Sequence, residues 1–264
     1  MQRLGVAFTL AVCLGVPGVS FAQALGQGPP MPIAVDLAKV PVGSWAEYRM
    51  VMGTLPPTKM RVALVARSAG STVVETTLEG GMLSANNKMV MHMALAPGAD
   101  AAVKTVAVQV GANDPMDLPL EMTGTKPFTR PKPKTLVGSE TVKTANGTYK
   151  AKHYREKTAE GDKIDYWVSE GVLPLGLVKI EVEQKDGPNS IVRLTMDLTG
   201  TGKEAKPALT KPTKPFDQAA LMKQVLGAGA GAAGAGAGAA GAGAPKPGPG
   251  PAAPSPTPPA PPKK

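Results

Sequence analysis

The densest run of potential chemistry is Met89, Met91, His92 and Met93, because thioether and imidazole together are the ligands that suit Cu(I) in an oxidising compartment. Strand alternation divides the set. Met89, Met91 and Met93 fall on one face and His92 on the other, so the histidine cannot join its neighbours at one ion. The pattern instead reads as a methionine stripe filling a core in which only 4% of the chain is aromatic. With Met50 and Met52, the same stripe could line an adaptable apolar cavity. Met50, Met52, Met89, Met91 and Met93 are therefore the candidate contacts to an apolar ligand.

Other chemistry is absent as motif. His92 and His153 lie far apart, each on a predicted strand, with no His-x-x-x-His or clustered carboxylate spacing, so no metal site is assigned. There is no Gly-x-Ser-x-Gly elbow, no Gly-x-x-x-x-Gly-Lys loop and no Asp-rich calcium loop. No catalytic or cofactor-binding residue is assigned, no cofactor is expected, and the chain reads as a non-enzyme. Tyr154, Tyr166 and Trp167 could make a binding patch, although cross-strand aromatic pairing is the commoner use. Lys126, Arg130, Lys132 and Lys134 surround Pro127, Pro131 and Pro133. Such a segment cannot be helical. It is either a solvated loop between two halves of a sheet or a contact for anionic lipid headgroups or another acidic partner.

The elements that carry these residues are strands. Ala46, Tyr48, Met50 and Met52 alternate with Glu47 and Arg49. Met60, Val62, Leu64 and Ala66 repeat the pattern after Pro56-Pro57, with Arg61 and Arg67 opposite. Further candidates are 72–78, 88–95 and 103–110. Strands at 135–144 and 148–157 flank Asn146-Gly147, residues that tolerate the positive φ of a tight hairpin turn. Strands at 163–169, 177–184 and 192–198 follow. In the last two, Val178, Ile180 and Val182 face inward against Lys179, Glu181 and Glu183, and Val192, Leu194, Met196 and Leu198 against Arg193, Thr195 and Asp197. The expected fold is mainly β: a curved antiparallel sheet or open half-barrel meander, one face buried and one wet, with little helix. The best helix candidate is 216–226, where Asp217 can cap free backbone N–H groups.

Three short stretches, Tyr149-Lys150-Ala151-Lys152-His153-Tyr154, Asp165-Tyr166-Trp167-Val168-Ser169 and Pro174-Leu175-Gly176-Leu177-Val178-Lys179, resemble the strand-turn-strand pattern of exported LolA/LolB-like domains. The likeness spans residues 147–182, about a seventh of the chain. It implies a curved antiparallel sheet whose hollow holds lipid or acyl chains, and it carries over no functional residue. The chain departs from the carrier pattern in having few aromatics and little helix.

The ends are of a different composition. Arg3 precedes an apolar run from Leu4 to Val16, and Ser20-Phe21-Ala22 follows a Pro17-Gly18 break, which is the layout of a signal peptide cleaved after Ala22 or, as second choice, after Ala24. That run of about 13 residues is short of the roughly 20 that cross a bilayer. Cys13 sits within it, so the mature chain is expected to carry no cysteine, disulfide or thiolate site. Residues 227–244 are all Gly or Ala and half of 245–264 are Pro, a disordered low-complexity tail. The chain thus divides into a signal at 1–22, a linker at 23–33, a β-rich domain at 34–205, a linker and short helix at 206–226 and the tail at 227–264.

The formal charge of +9 sits mainly at the C-terminal end: 34–205 holds 21 basic and 19 acidic residues, whereas 206–264 holds 7 basic residues and Asp217. A nucleic-acid binder should carry its charge on a folded face with aromatics to stack on bases, so that class is excluded. Two functional classes remain. One is an exported, periplasmic, non-catalytic envelope protein binding a lipid or other apolar ligand, with no transmembrane span in the mature chain. The other is a structural or interaction protein whose basic Pro-rich tail meets the cell wall or another anionic envelope partner.

Overall fold

The computed structural model describes residues 31–81, 83, 88–97, 102–123, 128–158, 161–185, 191–221 and 224. The expected signal, most of the N-terminal linker, the tail, Lys126 and Pro127 lie outside the described residues.

The alternation seen in sequence becomes two antiparallel meanders. The first runs through β2 (Trp45–Met52), β3 (Thr58–Ser68), β4 (Ser71–Gly80), β5 (Lys88–Leu95), β6 (Val103–Val110) and β7 (Met116–Leu118). The second runs through β9 (Leu136–Thr144), β10 (Gly147–Lys157), β11 (Lys163–Val168), β12 (Leu177–Lys185) and β13 (Ile191–Gly202). β13 pairs with β2, from Leu194 opposite Met52 to Gly202 opposite Trp45, so the two meanders form one eleven-stranded sheet with β7 and β9 at its edges. Gly202 has a local reason: a Cβ there would lie 2.6 Å from the Trp45 ring. The fold is mainly β and the sheet is not closed. It is curved, since Asn146, in the turn between β9 and β10, donates from Nδ2 to Thr201 Oγ1 of β13 at 3.2 Å.

Cross-strand register aligns the apolar positions into rows on the inner face. One row runs Tyr154, Tyr166, Ile180, Met196, Met50; another runs Leu198, Tyr48, Met60, Leu78, Met89, Val110. An apolar face of this size must be covered, and chain segments outside the sheet do it. Between β7 and β9 the chain crosses from one edge of the sheet to the other. On the way, β8 (Phe128–Thr129) pairs in parallel with β1 (Met31–Pro32). Ile33, Phe128, Val172, Leu175 and Leu221 are all buried in the same core. The packed body therefore extends beyond 34–205 at both ends, taking in part of each expected linker.

After β13 the chain straps the outer face. Ala205 N–H donates to Gly43 O at 2.8 Å and Ala208 N–H to the Glu75 carboxylate at 2.6 Å. Lys214 then bridges in parallel to Met116 and covers the three-residue edge strand β7, after which residues 218–221 form a helical turn. As its type predicts, Asp217 caps that turn, accepting from Ala220 N–H at 3.0 Å.

One local expectation is corrected. A β-bulge between Leu64 and Ala66 places Ala66 opposite Val73, on the outer face, while Arg67 turns inward. There Arg67 donates to the carbonyl oxygens of Leu37 and Val40, both at 2.5 Å. The β9–β10 hairpin turns at Asn146-Gly147 as expected, with the positive φ on Gly147, at 133°.

Tyr48 is fully buried, and its hydroxyl donates to Leu177 O at 3.0 Å, tying β2 to the start of β12. Burial holds its phenol protonated far above the usual tyrosine range. Tyr48→Phe is expected to cost about 1 kcal/mol and Leu198→Ala about 2–5 kcal/mol. Urea unfolding checks both, with the midpoint falling while the slope stays fixed.

Candidate functional site

The sheet holds its five candidate methionines on one face without bringing them together. Met50 and Met52 lie on β2, and Met89, Met91 and Met93 on β5, with β3 and β4 between. Met89 and Met93 are buried in the core, and Met50 and Met91 pack against it half-buried. Met52 is half-buried opposite Leu194. His92 lies on the opposite face, as alternation requires, with Nε2 2.7 Å from Glu75 Oε2. Burial works against ionisation of Glu75, but His92 and the Ala208 N–H outweigh it and hold its carboxyl below the usual range. No group of three or more His, Cys, Asp or Glu side chains among the described residues could hold a metal ion.

A hollow of about 560 Å³ opens instead on the inner face at the β9–β11 end. Its position follows from the topology: β9 is an edge strand, so the inner face of β9 and β10 ends without a neighbour to cover it. Ile33, Ala34, Tyr154 and Val168 give it an apolar side, and Tyr154 is held there by stacking on Tyr166, with centroids 5.4 Å apart and planes 9° from parallel. Arg130 and Pro131 of the basic proline segment approach from one side, while β10 contributes Lys150 and Lys152 and β9 contributes Ser139. None of the five methionines lines it. Sequence reasoning missed Lys150 and Lys152 as lining residues. The signal was present in their spacing, since residues two apart from Tyr154 share its face.

Directly behind, on the outer face, the same strands build a polar cluster. Asp165 Oδ1 accepts from His153 Nε2 and from Arg155 Nε, each at 2.7 Å, and its Oδ2 lies 3.0 Å from Lys163 Nζ. His153 Nδ1 is 3.2 Å from Glu140 Oε1, which also accepts from Trp167 Nε1. The His153 and Trp167 rings stack with centroids 4.4 Å apart, and Lys179 Nζ lies 5.2 Å from the Trp167 centroid. His153 Nε2 is held by Asp165, its Nδ1 lies near Glu140 and one ring face stacks on Trp167. The cluster is a clamp across β9, β10 and β11. Of the three aromatics weighed as a patch, Tyr154 and Tyr166 pair on the inner face and Trp167 sits on the outer one.

No family model and no curated protein matches the chain. Among solved structures it is similar to the hypothetical protein CT021 from Chlamydia trachomatis, at 11% identity and a TM-score of 0.37, over 69% of this chain and 96% of that one. A likeness at that level bears on no functional assignment.

Burial opposes ionisation of Asp165, but hydrogen bonds from Lys163, His153 and Arg155 prevail and hold its carboxyl below the usual range. A depressed carboxyl contributes stability that is fully present above its unfolded pKa of about 3.9 and is lost as pH falls through the lower folded value. Asp165→Asn is expected to cost about 1–3 kcal/mol near neutral pH and to flatten the acid limb of the stability profile below about pH 4. Denaturant melts across pH 2–7 measure both.

Proposed function

We propose that this chain is an exported, non-catalytic envelope protein that holds a lipidic or other apolar ligand in the hollow at the β9–β11 end of its sheet. The observation that carries the reading is the hollow itself: about 560 Å³, with an apolar side facing a polar and charged wall, a volume within the range of small-molecule sites. The contacts come from Ile33, Ala34, Tyr154 and Val168, and the methionine stripe serves the core beside them. The strand-turn-strand resemblance to LolA/LolB-like domains supports the same class of ligand, and the N-terminal apolar run supports export. No helix among the described residues is long and apolar enough to cross a membrane.

Native mass spectrometry and organic extraction of the protein purified from its producing cell test the ligand. A bound apolar molecule is expected, and Ser139→Trp, which places an indole over Tyr154 and Lys152, is expected to weaken its retention about tenfold or more. A ligand-free protein that also takes up no long-chain alcohol defeats the proposal. The intact mass of the exported form is expected to start at Gln23. An uncleaved precursor held in the cytosol defeats the export reading.

A further inference from the structure

We propose that the ligand of this hollow bears an anionic head, a carboxylate or phosphate on a single apolar chain, and that Lys150 and Lys152 hold it. The inference rests on the preceding reading that the hollow takes an apolar ligand. Its basis is a departure from the inner-face row at β10, where Lys150 and Lys152 are exposed while Ala151 and His153 between and beside them are buried. Where β11, β12 and β13 set Tyr166, Ile180 and Met196 inward in line with Tyr154, β10 continues from Tyr154 with Lys152 and then Lys150. Lys152 stands directly between Val168, a core residue, and Ser139. Lys150 stands opposite Thr141.

Lys132 is paired, facing Glu156 at 3.7 Å. Lys150 and Lys152 form no ion pair among the described residues, and both line the hollow. Arg130 lines it too, and among the described lining residues Glu170 is the single carboxylate. Two lysines separated by one residue on a strand have their Cα atoms about 7 Å apart, a spacing at which two flexible ammonium groups can converge on one anion. Ser139 and Ser169 add hydroxyl donors at the same wall, while Ile33, Ala34 and Val168 are left for the chain. The hollow lies in the lower part of the roughly 300–1,000 Å³ range of ligand sites, which favours one chain over two.

The test titrates the purified full chain with dodecanoate, dodecyl phosphate, dodecanol, dodecylamine and inorganic phosphate, at low and high salt. Both anionic chain probes are expected to bind about tenfold or more tighter than dodecanol, with the gap narrowing as salt screens it. Inorganic phosphate alone is expected to bind far more weakly, and the ratio of dodecanoate to dodecyl phosphate distinguishes a fatty carboxylate from a phosphate head. Lys150→Glu with Lys152→Glu is expected to abolish the preference for the anionic probes over dodecanol; the corresponding Gln pair, with an unaltered thermal melt, guards against a folding defect. Dodecanol binding as tightly as dodecanoate, or a preference that survives the charge reversal, overturns the headgroup inference while the hollow stands as an apolar site. Failure of every chain probe to bind overturns both.

Discussion

The pairing of β13 with β2 is the constraint on which the rest of the molecule depends. Each meander is local, made of hairpins between neighbouring strands, and each alone would present a broad apolar face to water. Joining them through a ladder that runs from Leu194 and Met52 to Gly202 and Trp45 turns two half-covered sheets into one curved body. The join also dictates the edges. Because β2 and β13 meet in the middle, β7 and β9 become the ends, and the chain between them has to cross the inner side. That crossing delivers Phe128 to the core and Arg130 to the hollow.

The two edges are managed differently, and the difference creates the site. β7 is three residues long and is covered by Lys214 of the C-terminal strap, a common way to blunt a sheet edge. β9 is nine residues long, with Leu136 and Val137 exposed. Near it the inner face is not filled by methionine and valine, and polar side chains of β10 replace them. Rigidity at this end comes from behind. The Asp165–His153–Glu140 network ties β9, β10 and β11 together on the outer face, and the stacked tyrosines tie β10 to β11 on the inner one. A hollow at a sheet edge is held in shape only if its strands are fixed by something other than the ligand, and these contacts do that.

Much of the strand layout is legible in sequence because burial on one face of a sheet imposes a period of two, and Val178, Ile180, Val182, Leu194, Met196 and Leu198 carry it plainly. Ala66 and Arg67 were misassigned for a physical reason. A bulge inserts one residue and inverts every later face, yet Val65 looks like any other strand residue. β7 was missed because three residues hold too little periodicity to register. β1 and β8 escaped for the same reason, and their parallel pairing joins segments far apart in the chain.

The sequence by itself determined that this is a mainly β body with an apolar inner face, that methionine takes much of the place of aromatics in its core, and that His92 is kept from Met89, Met91 and Met93. All of these follow from local alternation, which is a property of consecutive residues. Only the tertiary structure decided which strands are edges, that the methionines pack in the core while Lys150 and Lys152 line an open hollow at its edge, and that His153, Asp165 and Glu140 form one network. Those facts depend on register between strands and on which segments cover the sheet. Both are set by the total apolar surface the whole chain can bury, which no short window of residues contains.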